Sequence, residues 1–246
     1  MRNFKQGIIP LKSLAVTLTA QRGSSDMVQR QYNTEMEEIL RRLERDGALP
    51  SIAEKKGDSL RFDGRKPSLL LHSCCGPCSS AVLERLLPHF AVTVFFYNPN
   101  ILPGQEYEKR LSEQRRLLRE MGDAAALLEG SYEPKRFLSF VRGLENEPEG
   151  GKRCERCFAL RMEETALACR RGGYDLFTTT LTVSPHKNAP LINTIGENIA
   201  EKYGMTWLPG DFKKKEGYKR SIALCKQYDV YRQNYCGCKY SIWEEE

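Results

Sequence analysis

At 246 residues, with 40% hydrophobic and 28% charged positions, the chain is long enough for one globular domain with a terminal extension and too apolar for wholesale disorder. Its apolar runs, such as Ser68–His72 and Val92–Tyr97, are strand-sized and fall well short of the ~20 residues of a membrane span, so no membrane partner is expected. A net charge of +6 permits an RNA partner without requiring one.

Met1–Gly23 is basic and lacks acids, and its short apolar part is broken by threonines, so it makes a poor signal peptide. Met1–Asp26 is read as a disordered tail or an upstream start, with Met27 as the initiator. Gln29–Asp46 has Tyr32, Met36, Ile39, Leu40 and Leu43 at helical spacing, and a polar linker, Ala53–Lys66, follows. From there strands and helices alternate. Strands are expected at Pro67–Ser73, Ala91–Tyr97, Ala124–Glu129, Tyr174–Leu181 and Met205–Leu208. Between and after them, helices are expected at Ser79–Leu87, Gln105–Met121, Pro134–Val141, Glu155–Arg171, Lys187–Lys202 and Gly217–Tyr228. This predicts an α/β fold with an open, mostly parallel sheet, helices on both faces and an added N-terminal helix. The expected organisation is 1–26 tail, 27–66 helix and linker, and 67–246 the α/β domain with a C-terminal Cys-Gly-Cys segment.

In open parallel sheets, sites lie beyond the carboxyl ends of the strands. The unusual residues of this sequence follow its predicted strands. His72-Ser73-Cys74-Cys75-Gly76-Pro77-Cys78 follows the first, Asn98-Pro99-Asn100 the second, Ser131-Tyr132 the third, Ser184-Pro185-His186 the fourth and Asp211-Phe212 the last.

Nine cysteines are an odd number, and seven of them cluster, which argues against a secreted disulfide framework and for metal or redox work in the reducing cytoplasm. Cys75 and Cys78 begin one predicted helix, and Cys154 and Cys157 another. A helix N-terminus favours the thiolate that ligation needs. Four thiolates suit structural zinc or an iron–sulfur cube equally well, and spacing does not separate them. Cys75-Gly76-Pro77-Cys78 also reads as a thioredoxin-like dithiol, although that leaves Cys74 and the other two groups without a role. In Cys236-Gly237-Cys238 the glycine allows the sharp bend that a small strained disulfide requires, and such disulfides are labile. Extra zinc ligands or ordinary surface thiols would look the same. Cys169 and Cys225, alone on helices, read as small buried hydrophobes.

His72 reads as a hydrogen-bonded core histidine and His89 as a surface one, and His186 stands near the expected site. The basic groups Arg115-Arg116-Arg119, Lys213-Lys214-Lys215 and Lys219-Arg220 suit phosphates or merely a solvated face. Tyr228, Tyr231, Arg232 and Tyr235 interleave aromatics with cations beside Cys236, as single-stranded RNA binding requires.

Taken in order, these motifs resemble one family. They are His72–Cys78, Phe96–Ile101, Glu106-Tyr107 with Arg110, Cys154-x-x-Cys157 with Arg161, Phe177–Leu181 with Ser184-Pro185, Asp211–Lys213 and Tyr231–Cys238. From about Gln29 to Trp243 the chain is similar to the QueH-type epoxyqueuosine reductases. The resemblance implies reduction of epoxyqueuosine to queuosine at the wobble position of tRNA, an open α/β fold like that of adenylyl enzymes, and an electron donor yet to be identified. It also implies a 4Fe–4S cluster on Cys74, Cys75, Cys154 and Cys157, an additional iron with Cys78 as a ligand, and a redox-active disulfide of Cys236 and Cys238. Removing the epoxide oxygen takes two electrons and two protons, so a Lewis-acidic iron recharged by the Cys236–Cys238 couple is the expected route, with Tyr97, Tyr107 or His186 supplying protons. Two rival readings are a zinc-braced RNA-binding module without catalysis and a thioredoxin-like dithiol oxidoreductase.

Overall fold

Leu69, Leu70 and Leu71 are all fully buried, and that is possible only for a strand covered on both faces. The computed structural model describes residues 30–50, 59–62 and 64–241, so the tail expected over 1–26 lies outside the described residues. Residues 31–246 form one compact unit.

That unit opens with helix α1 (Tyr32–Asp46), closed by Gly47 in the left-handed region, and strands β1 (Ala48–Pro50) and β2 (Ser59–Arg61) pair antiparallel. The expected linker Ala53–Lys66 therefore contains a strand; three-residue strands carry too little periodicity to announce themselves. Then come β3 (Ser68–His72), α2 (Gly76–Leu86), β4 (Ala91–Phe96), α3 (Gly104–Glu120), β5 (Ala126–Glu129), α4 (Pro134–Phe140), α5 (Lys152–Gly172), β6 (Leu176–Thr179), a 3-10 turn (Thr180–Val183), α6 (Ala189–Tyr203), β7 (Thr206–Trp207), α7 (Gly217–Gln227) and a second 3-10 turn (Lys239–Ser241). Strands β3 to β7 form a parallel sheet in the order β5-β4-β3-β6-β7. The expected open α/β architecture is present.

Alternation along β3 assigns the two cores. Leu69 and Leu71 pack with Met36, Leu83 and Phe212 on the face covered by α1 and α2, whereas Leu70 packs with Phe158, Met162, Phe177 and Ile192 under α5 and α6. Cys169 is fully buried in the second core, and Cys225, 3% exposed, packs with Leu117 and Val230, so both lone cysteines are core residues. No helix among the described residues is long and apolar enough to cross a membrane.

One carboxylate ties the start of β3 to β6. Asp175 accepts from the Ser68 N–H at 2.8 Å, the Ser68 hydroxyl at 2.7 Å and the Arg65 guanidinium at 2.8 Å. Partial burial opposes its charge, but the Arg65 and Ser68 donors outweigh it and hold the carboxyl below its usual range. Asp175→Ala is expected to lower stability by about 1–3 kcal/mol in denaturant unfolding, because the Ser68 N–H loses its acceptor. With a lowered folded-state pKa, this contribution is present above the ordinary aspartate range and fades as pH falls through the folded value. A variant whose deficit is as large in strong acid as at neutral pH would contradict that origin.

Candidate active site

β3 and β6 are neighbours whose outgoing connections leave in opposite directions, β3 towards β4 and β6 towards β7. Their carboxyl ends frame the crevice where such folds bind ligands. His72 and Thr179 stand side by side in register there. The Thr179 hydroxyl lies 2.9 Å from His72 Nδ1, and His72 Nε2 lies 3.2 Å from the Tyr97 carbonyl, an arrangement that puts the proton on Nε2. Burial pushes the His72 pKa down to about 3, so the ring is a neutral core group.

The chain leaves β3 through Ser73 and turns at Cys75, whose extended backbone (φ −175°) is the N-cap of α2. Starting the helix at Gly76, three residues earlier than the sequence predicts, puts Cys78 in its first turn. The sulfur atoms of Cys74, Cys75 and Cys78 consequently lie within 4.8 Å of one another, a group that could hold a metal ion. Cys74 and Cys75 sulfurs are 3.7 Å apart, and the Thr180 hydroxyl is 3.6 Å from Cys74 Sγ. Hydrogen bonds from the Cys75 and Cys78 thiols hold Cys74 well below the ordinary thiol range, against burial and with help from the Lys187 charge and Thr180. The bond it gives to Cys74 raises Cys75 to about 12, and Cys78 is raised for the same reason. Cys74 is thus the thiol of the three most easily ionised, and a metal held here would displace the protons of the others.

Cys154 and Cys157 sit one turn apart in α5, whose start at Lys152 is likewise three residues earlier than expected. They lie outside the close trio and line an adjoining cavity of ≈ 80 Å³ together with Cys236 and Cys238. Burial raises the thiols of Cys154 and Cys238 and pushes Cys157 up to about 12. Cys74 and Cys78 line a larger cavity of ≈ 610 Å³. The two cavities share Glu149, Arg161, His186, Lys187 and Cys236, so all three cysteine groups face one edge of the sheet. All nine cysteines are free thiols.

The segment carrying Cys236 is tied down at several points. Arg116 donates to the carbonyls of Tyr228 and Asp229, and Glu113 accepts from the Tyr231 N–H. Buried Arg110, held by Glu106 at 2.6 Å, donates to the carbonyls of Tyr235 and Cys236. Gln233 Nε2 lies 3.0 Å from Cys75 Sγ, linking this segment to the trio. Gly237 has φ +110°, and a Cβ there would meet Arg110 Nη1 and Ile101 Cγ1 at 2.9 Å each. Gly237→Ala should therefore cost about 1–3 kcal/mol in thermal unfolding. A variant as stable as the parent would show that the segment re-forms without its bend.

The remaining sequence candidates divide. His186 lines both cavities. Tyr97 and Tyr107 line neither: the Tyr97 hydroxyl accepts from Arg136, and Tyr107 stacks on Tyr132 with ring centroids 4.0 Å apart. Arg115, Arg116, Lys215 and Arg220 pair with Glu129, Glu113, Glu37 and Glu84, as on an ordinary solvated face. Of the aromatic–cation stretch, Arg232 and Tyr235 reach the large cavity, whereas Tyr231 braces Glu106. Arg110, Arg161, Lys187 and Gln233 emerge as site residues without any role having been read from the sequence. Only the Glu106/Arg110 and Cys157/Arg161 spacings of four, one helix face each, hinted at the two arginines.

A family model described as Epoxyqueuosine reductase QueH matches residues 69–244. The chain belongs to the epoxyqueuosine reductase QueH family. Relatives bearing the family name include one from Streptococcus pyogenes, 44% identical over 180 residues, covering 72% of this chain and 71% of the relative. Another, from Staphylococcus aureus, is 41% identical over 217 residues, covering 80% and 90%, and one from Thermotoga maritima is 38% identical over 178 residues, covering 72% and 91%. The family's members are enzymes, named as oxidoreductases, and the matched region contains all seven clustered cysteines.

Proposed function

We propose that this protein is a cytoplasmic epoxyqueuosine reductase acting on tRNA that carries epoxyqueuosine at the wobble position, and that the cysteine-lined edge of the sheet is its active site. The observation that carries the reading is the close trio Cys74, Cys75 and Cys78, beside two further cysteine pairs in a chain of this family. Cys74, Cys75, Cys154 and Cys157 are the proposed ligands of a 4Fe–4S cluster, and Cys78 that of an additional iron. The donor set fits such a group: the thiols are soft ligands, and Arg161 and Lys187 supply positive charge on the wall shared by both cavities. When bound, the cluster supplies one-electron transfer.

The chain's own residues account for the rest. The large cavity has room for a nucleotide, with Lys187 and Arg232 to neutralise phosphate and Tyr218 and Tyr235 to offer ring faces. Converting the epoxide to an alkene breaks two C–O bonds, takes two electrons and two protons, and releases the oxygen as water. Oxidation of the Cys236 and Cys238 thiols to a disulfide releases the same two electrons and two protons. An external reductant then restores the thiols. His186, on the shared wall, is positioned to deliver protons. The test is to incubate the reduced, iron-loaded protein with epoxyqueuosine-containing tRNA and analyse the nucleosides by mass spectrometry. Queuosine should appear; failure to form it under strictly anaerobic, reducing conditions would overturn the assignment.

A further inference from the structure

Three arginines are buried at this edge, and two of them have evident partners. Arg110, 2% exposed, is paired with Glu106 and two backbone carbonyls. Arg153, 3% exposed, donates from Nη1 to the carbonyls of Glu145 and Glu147, and only its Nε is left without a partner among the described residues. Arg161, also 2% exposed, differs. Its Nε donates to the Cys157 carbonyl at 3.3 Å and its Nη1 makes a long contact of 3.5 Å to Asn98 Oδ1, while its buried Nη2 has no hydrogen-bond partner among the described residues. A guanidinium taken out of water without an anion is strongly unfavourable, so the site is built for an anion that completes it.

The position of Arg161 identifies that anion's chemistry. It stands on the wall shared by the two cavities, with Cys74 and Cys78 lining one side and Cys154, Cys157 and Cys238 the other. The charges that act on it most are those of the Cys157, Cys236, Cys74 and Cys154 sulfurs, and the one carboxylate on the shared wall is that of Glu149. We propose that Arg161 is the fixed counter-charge of the iron–thiolate centre, with Nη2 as a donor to its sulfur. This rests on the cofactor assignment above and adds a positioning residue to it. A cation beside the centre stabilises the reduced form, which carries one more negative charge, so its removal makes reduction harder.

The test compares the parent protein with Arg161→Gln and Arg161→Lys, all reconstituted anaerobically with iron and sulfide. Iron content, a redox titration and thermal unfolding are measured. Arg161→Gln is expected to stay folded and to shift the reduction equilibrium at least tenfold towards the oxidised state, about 59 mV for a one-electron couple. Arg161→Lys keeps the charge and is expected to move it less than tenfold, and it carries the test should the glutamine variant not fold. A glutamine variant with the parent's potential overturns the inference, as does a lysine variant whose equilibrium moves tenfold or more. An unchanged potential joined to a weaker, less salt-dependent affinity for tRNA would mean that Arg161 serves a phosphate instead. Should the parent itself load no iron, the cofactor assignment falls, and this inference with it.

Discussion

Cys75→Ser is expected to lose iron and to lower turnover by more than about 100-fold, while leaving the protein folded. Cys75 is 1% exposed, caps α2, and brings its sulfur within 4.8 Å of both Cys74 and Cys78. Serine nearly matches its volume, so packing around the turn survives. What is lost is a soft ligand and the donor that most lowers the Cys74 thiol. The matched control is Cys169→Ser, buried in the core beneath α5 and away from both cavities. It should cost stability, since a hydroxyl replaces a core thiol, yet keep its iron and its turnover per folded molecule. Iron analysis, turnover and a melting curve on the two variants separate ligation from folding. A Cys75→Ser protein that keeps parental iron and activity would remove the trio from the mechanism.

Cys236→Ser is expected to leave iron content unchanged and to abolish formation of the alkene product. Cys236 lines both cavities, and Gly237, at φ +110°, turns the backbone between it and Cys238. Arg110 fixes the Cys236 carbonyl at 3.1 Å, so the segment is held in place rather than draped. If these two thiols restore the centre with electrons, a serine breaks the relay without touching the proposed ligands. Without the thiol pair the chain's own two-electron source is gone, so product should be lost in a single pre-reduced cycle as well as under multiple turnover. Parental multiple turnover in Cys236→Ser would end the relay role and leave the segment a structural one.

Much of the fold was legible because its signals are local. Leu69–Leu71 is a continuous apolar run, Gly172-Gly173 stops α5, and the motif-bearing loops each follow a strand. The β1–β2 pair was not legible, since two three-residue strands separated by a polar stretch have no period to read. Both cysteine-bearing helices begin three residues earlier than expected. Gly76-Pro77 looks like a break but suits a first helical turn, and Gly151 caps α5 with no side-chain signal. The earlier start puts Cys78 in the first turn of α2, close to Cys74 and Cys75. The cysteines themselves were plain. Arg110 and Gln233, which hold Cys236 and Cys75, act across 126 and 158 positions of sequence, and no local pattern reports contacts of that range.

The most direct measurement is iron and acid-labile sulfide per chain, with a visible absorption spectrum, on the protein purified without oxygen. A brown protein carrying both elements, with the broad charge-transfer absorption of thiolate-bound iron that bleaches on reduction, is the result expected here. A colourless protein containing zinc, or one that converts its tRNA substrate with no metal at all, would contradict it.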